Sequence, residues 1–122
     1  MTRQEEEEAQ ILEWADGLHA KLEEIFEKES VKSDISKGDL VFRVTMRTPL
    51  PGRKNARGLL QILVAREALD DYLLQEHLGP RATEKFLNLI RAKRASYVPK
   101  PYSMNDADVE KWPVRPEDVS VR

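Results

Sequence analysis

Residues 39–48 alternate in polarity, and that alternation constrains the fold more than any other feature of the chain. Leu40, Phe42, Val44 and Met46 fall on one parity; Val41, Arg43, Thr45 and Arg47 fall on the other. A period of two rich in β-branched and aromatic residues predicts a half-buried strand over 39–48. Its backbone N–H and C=O groups must find partners. The nearest candidate is the apolar run Leu59, Leu60, Ile62, Leu63 and Val64, which predicts a second strand over 58–65. Reading 58–78 as one helix would instead force Arg66 and Glu76 into the stripe of Leu59, Ile62, Leu69 and Leu73. Pro49 and Pro51 end the first strand, and Pro51-Gly52 opens a turn. Arg53, Lys54, Asn55 and Arg57 make that connection polar and basic.

A hairpin alone is marginal, so its apolar face needs cover. Helical stripes supply it. Ile11, Ala15, Leu18, Leu22 and Ile25 recur at spacings of four and three, flanked by Leu12, His19 and Phe26. They predict an amphipathic helix over 5–29, with Glu5 to Glu8 at its dipole-favoured start and Gly17 as a weak point. Ala68, Leu69, Tyr72, Leu73 and Leu74 predict a helix over 66–78, which Gly79-Pro80 stops. Phe86, Leu87, Leu89 and Ile90 predict another over 81–95, with Arg91, Lys93 and Arg94 in its last turn. The polar stretch 30–38 reads as a loop. The third strand is expected from Tyr97-Val98, or else from edge-to-edge pairing of two chains. The expected architecture is α+β. A single domain spans 1–98, and a Pro-rich tail over 99–122 docks in part through Trp112. Asn105 is expected to cap one helical turn, and residues 116–122 are expected to be a mobile end.

The 122 residues suffice for one core. The chain has no Cys, which removes disulfides, thiolate metal sites and Cys nucleophiles. Its start, Met-Thr-Arg-Gln followed by four Glu, is unlike a signal peptide, and no window is apolar enough to span a membrane. A cytoplasmic protein is the expectation. The net charge of −2 hides a segregation: residues 1–39 carry five Lys/Arg against twelve Asp/Glu, and residues 40–101 carry twelve against five.

Few residues suggest chemistry. His19 and Glu23 share a helix face but lack the further ligands that zinc requires. His77 has no nucleophile beside it, and Asp70-Asp71 point about 100° apart on a helix. Gly52 to Gly58 lacks the Gly-Lys-Ser/Thr run of a phosphate loop. No cofactor and no metal are expected, and an enzyme with a site assembled from dispersed residues ranks last. The first expectation is a small non-enzymatic module acting through protein–protein contact, self-association included, with Trp14, Leu18 and Leu22 as interface residues. The alternative is phosphate or nucleic-acid binding through Arg43, Arg47, Arg53, Lys54 and Arg57 at the hairpin tip and outer strand face. Arg91, Lys93, Arg94 and Lys100 would extend that patch, and Tyr97 and Tyr102 would stack on bases.

Overall fold

The computed structural model describes residues 2–27, 29–49, 57–97 and 110–121. Helix α1 (Arg3–Ile25) is followed by strands β1 (Ser30–Ser36), β2 (Asp39–Pro49) and β3 (Arg57–Val64). A short helical segment, α2 (Arg66–Ala68), runs into a π-helical turn over Leu69–Leu73. Helix α3 (Gly79–Ser96), strand β4 (Glu110–Val114) and the single turn α4 (Pro116–Val119) complete the order. The fold is α+β, with one four-stranded sheet in the order β1-β2-β3-β4.

The two strands expected from alternation pair antiparallel, with Leu40 opposite Val64, Phe42 opposite Ile62 and Val44 opposite Leu60. These six side chains are buried and face the helices. The register shifts between Thr45 and Pro49. β4 runs parallel to β3, with Trp112 opposite Ile62 and Val114 opposite Val64. A parallel neighbour needs a crossover, and α3 lies between the two strands in the chain.

The stretch read as a loop is a strand. β1 pairs antiparallel with β2 from Ser30 opposite Thr45 to Ser36 opposite Asp39. The turn between them is Lys37-Gly38, with φ of 53° and 86°. Two consecutive positive φ values suit the right-handed twist of a two-residue hairpin, and glycine meets that demand without strain. The sheet reaches four strands within one chain. The expected third strand is thereby corrected: Tyr97 ends α3, and Val98 lies outside the described residues.

α1 starts earlier and ends sooner than expected, over 23 residues from Arg3. The Thr2 hydroxyl accepts the Glu5 N–H at 3.2 Å, and the chain leaves the helix through Glu27 at φ 57°. The helix expected over 66–78 is broken. Its π-helical turn closes with Leu74 N–H donating to the Leu69 carbonyl at 2.9 Å. Gly79-Pro80 begins α3 instead of stopping its predecessor. A Cβ at Gly79 would stand 2.9 Å from the Leu73 carbonyl oxygen, so only glycine fits, and proline is pre-set for a first helical turn.

Every helix contributes to one core. Ile11, Leu18 and Leu22 of α1, Ala68, Leu69 and Leu73, Phe86 and Ile90 of α3, and Val119 of α4 share it with the inner sheet residues. The end expected to be mobile is docked. Val119 is fully buried, the Asp118 carboxylate accepts the Arg115 N–H at 2.8 Å, and Lys85 Nζ donates to the Ser120 carbonyl at 2.5 Å. Trp112 stacks on Phe26 with ring centroids 5.9 Å apart and meets the edge of Tyr97 at 5.7 Å. The turn expected at 105–109 lies outside the described residues.

Two glycine substitutions should move stability in opposite directions, read from urea-unfolding midpoints. Gly79→Ala should destabilise by about 1–3 kcal/mol by forcing the Leu73 carbonyl away. Gly17→Ala, whose Cβ would meet nothing within 4 Å, should stabilise by about 0.5–1 kcal/mol through helix propensity. Trp112→Ala should cost about 3–5 kcal/mol in the same measurement, because it removes a core ring in the heart of β4.

Candidate functional site

All four helices bury their apolar sides against one face of the sheet. The alternate residues of every strand therefore form a second face that no described helix covers. Strand register arranges that face in rows. Lys32 stands opposite Arg43, Arg43 opposite Gln61, and Gln61 opposite Lys111. Three inter-strand steps make this a polar, cationic row about 14 Å long. The next row is Asp34, Val41, Leu63 and Pro113, and on the other side Thr45 stands opposite Leu59. Apolar side chains thus stand on both sides of the cationic row: Val41, Leu63 and Pro113 on one, and Leu59, in a row with Ser30 and Thr45, on the other. Leu59 is 49% exposed, the one exposed large hydrophobic residue among those described. Val41, although buried, stands apart from the core cluster.

Lys32 directly opposite Arg43 sets like charges on neighbouring strands, which is unfavourable. Asp34 relieves part of that repulsion. Its carboxylate accepts Arg43 Nη1 at 2.9 Å and the Ile35 N–H at 2.8 Å. The Arg43 bond first, and the Ile35 N–H second, hold the Asp34 carboxyl below the usual carboxylate range. The pair is exposed, so it orients Arg43 more than it stabilises the fold. Lys32 and Lys111 are exposed and form no ion pair among the described residues.

Of the residues expected to contact an anion, Arg43 lies on this face. Arg47 and Arg57 belong to β2 and β3, Arg47 within the stretch where the register shifts, while Arg53 and Lys54 lie outside the described residues. Lys100 and Tyr102 also lie outside them. Arg91, Lys93 and Arg94 belong to α3, on the opposite side of the sheet, and do not extend the row. Tyr97 is tied into the fold. Burial first, and the nearby Glu110 second, raise its hydroxyl pKa, against the opposing pull of Arg94.

The expected interface residues are corrected. Leu18 and Leu22 are core residues of the chain itself. Trp14 lies between Phe86, at 5.7 Å, and Phe42, at 6.4 Å, and its Nε1–H donates to the Thr83 hydroxyl at 3.2 Å. The wide stripe of α1 is used by the sheet and α3 together.

The titratable groups considered in the sequence serve structure. His19 joins α1 to β1, with Nδ1 3.2 Å from Glu23 and Nε2 on the Val31 carbonyl. Asp70 takes Arg66 Nε on both oxygens at 3.1 Å, and Glu7 takes its Nη2 at 2.9 Å. Burial opposes the Arg66 charge, but the carboxylates of Asp70 and Glu7 more than offset it and raise its pKa. Asp71 and His77 are exposed. Among the described residues, no group of three His, Asp or Glu is placed to hold a metal ion.

Sequence reasoning missed Lys32, Leu63 and Lys111. Lys32 lies in a polar stretch without clear alternation and Lys111 in a Pro-broken tail, and the apolar run 59–64 shows no alternation that would assign Leu63 a face. The outward parity of Leu63 follows once it is set opposite Val41.

Comparisons with protein-family models, curated proteins and solved structures return no match. No described helix is long and apolar enough to cross a membrane.

The Asp34 carboxyl should titrate below the usual carboxylate range when followed by NMR. Arg43→Gln should move its midpoint upward, because the largest cause of the shift is the Arg43 bond. A folded-state pKa below the unfolded value adds stability only above that range, and the small contribution of the pair is lost as pH falls through the folded pKa.

Proposed function

We propose that the chain is a non-catalytic binding module that docks a protein partner on the open face of its sheet. One observation carries this reading. A cationic row, Lys32–Arg43–Gln61–Lys111, has Leu59 on one side and Val41 and Leu63 on the other, on the face no described helix covers. Exposed apolar side chains beside a charged row combine the apolar and polar surface that protein–protein contacts use. The charge fits a partner that is acidic around an apolar anchor.

The same charge argues against symmetric self-association through this face. A two-fold dimer would set the row against its own copy, bringing like charges together. Single-stranded nucleic acid is also a poorer fit, because such binders use aromatic platforms and no described residue of this face is aromatic.

The test is retention of a native partner from host extract by the full chain and by two variants. Leu59→Lys and the double variant K32E/K111E should each lose a protein that the unaltered chain retains. All three side chains are exposed, so thermal midpoints should be unchanged. Arg81→Glu on α3 should bind as the unaltered chain does. Retention of the same partner by K32E/K111E would overturn the reading, as would a bound species destroyed by nuclease.

A further inference from the structure

The helix layer holds a second basic feature, independent of the sheet face. Between the C-terminal turns of α1 and α3 lies an open cleft of about 330 Å³. Lys21, Glu24 and Ile25 line it from α1, and Arg91, Arg94 and Ala95 line it from α3. Three cations face one carboxylate, and none of the three forms an ion pair among the described residues.

Cations near a helix C-terminus commonly balance the dipole there. Arg94 does more than this. Its guanidinium stands 5.9 Å from the centre of the Tyr97 ring, and its Nε is buried with no hydrogen-bond partner. A guanidinium that served the helix end would place that N–H on a carbonyl oxygen. Asn88 holds Arg91 through Nη1 at 3.0 Å, which leaves the rest of that fork available. Lys21 precedes the last turn of α1, where the dipole effect is already small.

The local field favours an anion. Three positive charges exceed Glu24 and the roughly half-unit negative charges at two helix ends, leaving about one positive charge in the cleft. Arginine forks match the paired oxygens of phosphate and carboxylate. Ile25 and Ala95 supply apolar surface beside them.

We propose that this cleft is an oxyanion site for a small molecule carrying a phosphate or carboxylate group on an apolar stem. Arg91 and Arg94 hold the oxygens, Lys21 adds charge from across the cleft, and Ile25 and Ala95 contact the stem.

The test is an NMR titration of the full chain that follows backbone amides and arginine Nε–H signals at constant ionic strength in sodium chloride. Three probes are used: phenyl phosphate, benzoate and inorganic phosphate. Saturable shifts confined to residues 21–25 and 91–97, with Arg94 Nε–H among them, support the site. The first two probes distinguish phosphate from carboxylate, and the third isolates the contribution of the stem. Arg94→Gln and Arg91→Gln should each weaken binding roughly tenfold. Arg81→Gln, which removes the same charge elsewhere on α3, should leave affinity unchanged. Should Arg94→Gln fail to fold after losing its ring contact, Lys21→Gln on the exposed side of α1 gives the same reading. Linear shifts that never saturate with any probe would overturn the proposal, as would equal losses in the Arg81 and Arg94 variants.

Discussion

The pairing of β2 with β3 decides which way every side chain of the sheet points. Phe42 lies opposite Ile62, so Val41 must lie opposite Leu63 on the other side. A slip of one residue would carry Phe42 and Ile62 out of the core and bring Arg43 into it. The outer strands inherit the same parity. Val31 takes its side from Val44, and Trp112 takes its side from Ile62. The aromatic contacts then follow, since Trp14 reaches Phe42 and Phe86, and Phe26 reaches Trp112, only from the inner face. Each such ring pair contributes about 0.5–1.5 kcal/mol beyond its buried area. These contacts fix the placement of α1 and α3 over a sheet whose polarity β2 and β3 have already set.

That placement leaves the fold two-layered. A helix buries one apolar stripe and a sheet buries one apolar face, so a single layer of helices satisfies both. Antiparallel pairs tolerate an open second face, whereas parallel pairs usually have both faces covered. Here β3–β4 is the parallel pair, and β4 lies at the sheet's edge. Lys111 and Pro113 occupy its outward positions, both exposed, and a proline is acceptable on an edge strand. The open face is therefore a consequence of where the crossover puts β4. Its chemistry is set by the outward residues that β2 and β3 carry for their own alternation.

What could be read from the sequence divides along the same lines. β2, β3, α1 and α3 were legible because each has enough apolar residues at one period to mark a buried side. β1 was not, because an edge strand is contacted on one side only. Its inner positions are Val31, Ser33 and Ile35, too weak a pattern beside Lys32, Ser36 and Lys37. β4 was hidden by Pro113, although Trp112 correctly signalled docking. Gly79-Pro80 marks a helix boundary in the sequence but not which side of it the helix lies on. Glycine suits both a helix end and a close approach, and only the Leu73 carbonyl at 2.9 Å distinguishes them. Trp14 looked unpartnered because helical period shows how wide a stripe is, but not that two different elements share it. Of the candidate site, Arg43 was legible from strand parity. Its neighbours Lys32 and Lys111 were not, since they enter the row only through strands the sequence did not reveal.

The cationic row does little for folding. Lys32 opposite Arg43 is a repulsive pair, and Asp34 neutralises only one of the two. The ends of the row serve a second purpose. β1 and β4 are the two edges of the sheet, and each carries an exposed lysine at this level. Charged edge strands resist pairing with another chain, because extending the sheet would force those ammonium groups against a neighbour. Lys32 and Lys111 thus discourage growth of the sheet in its own plane while leaving its face accessible. Contact through the open face, as proposed, needs this separation. An apolar face on a sheet with unguarded edges would aggregate by strand addition before it could select a partner, and Leu59 and Leu63 are tolerable where they stand because both flanks of their sheet carry charge.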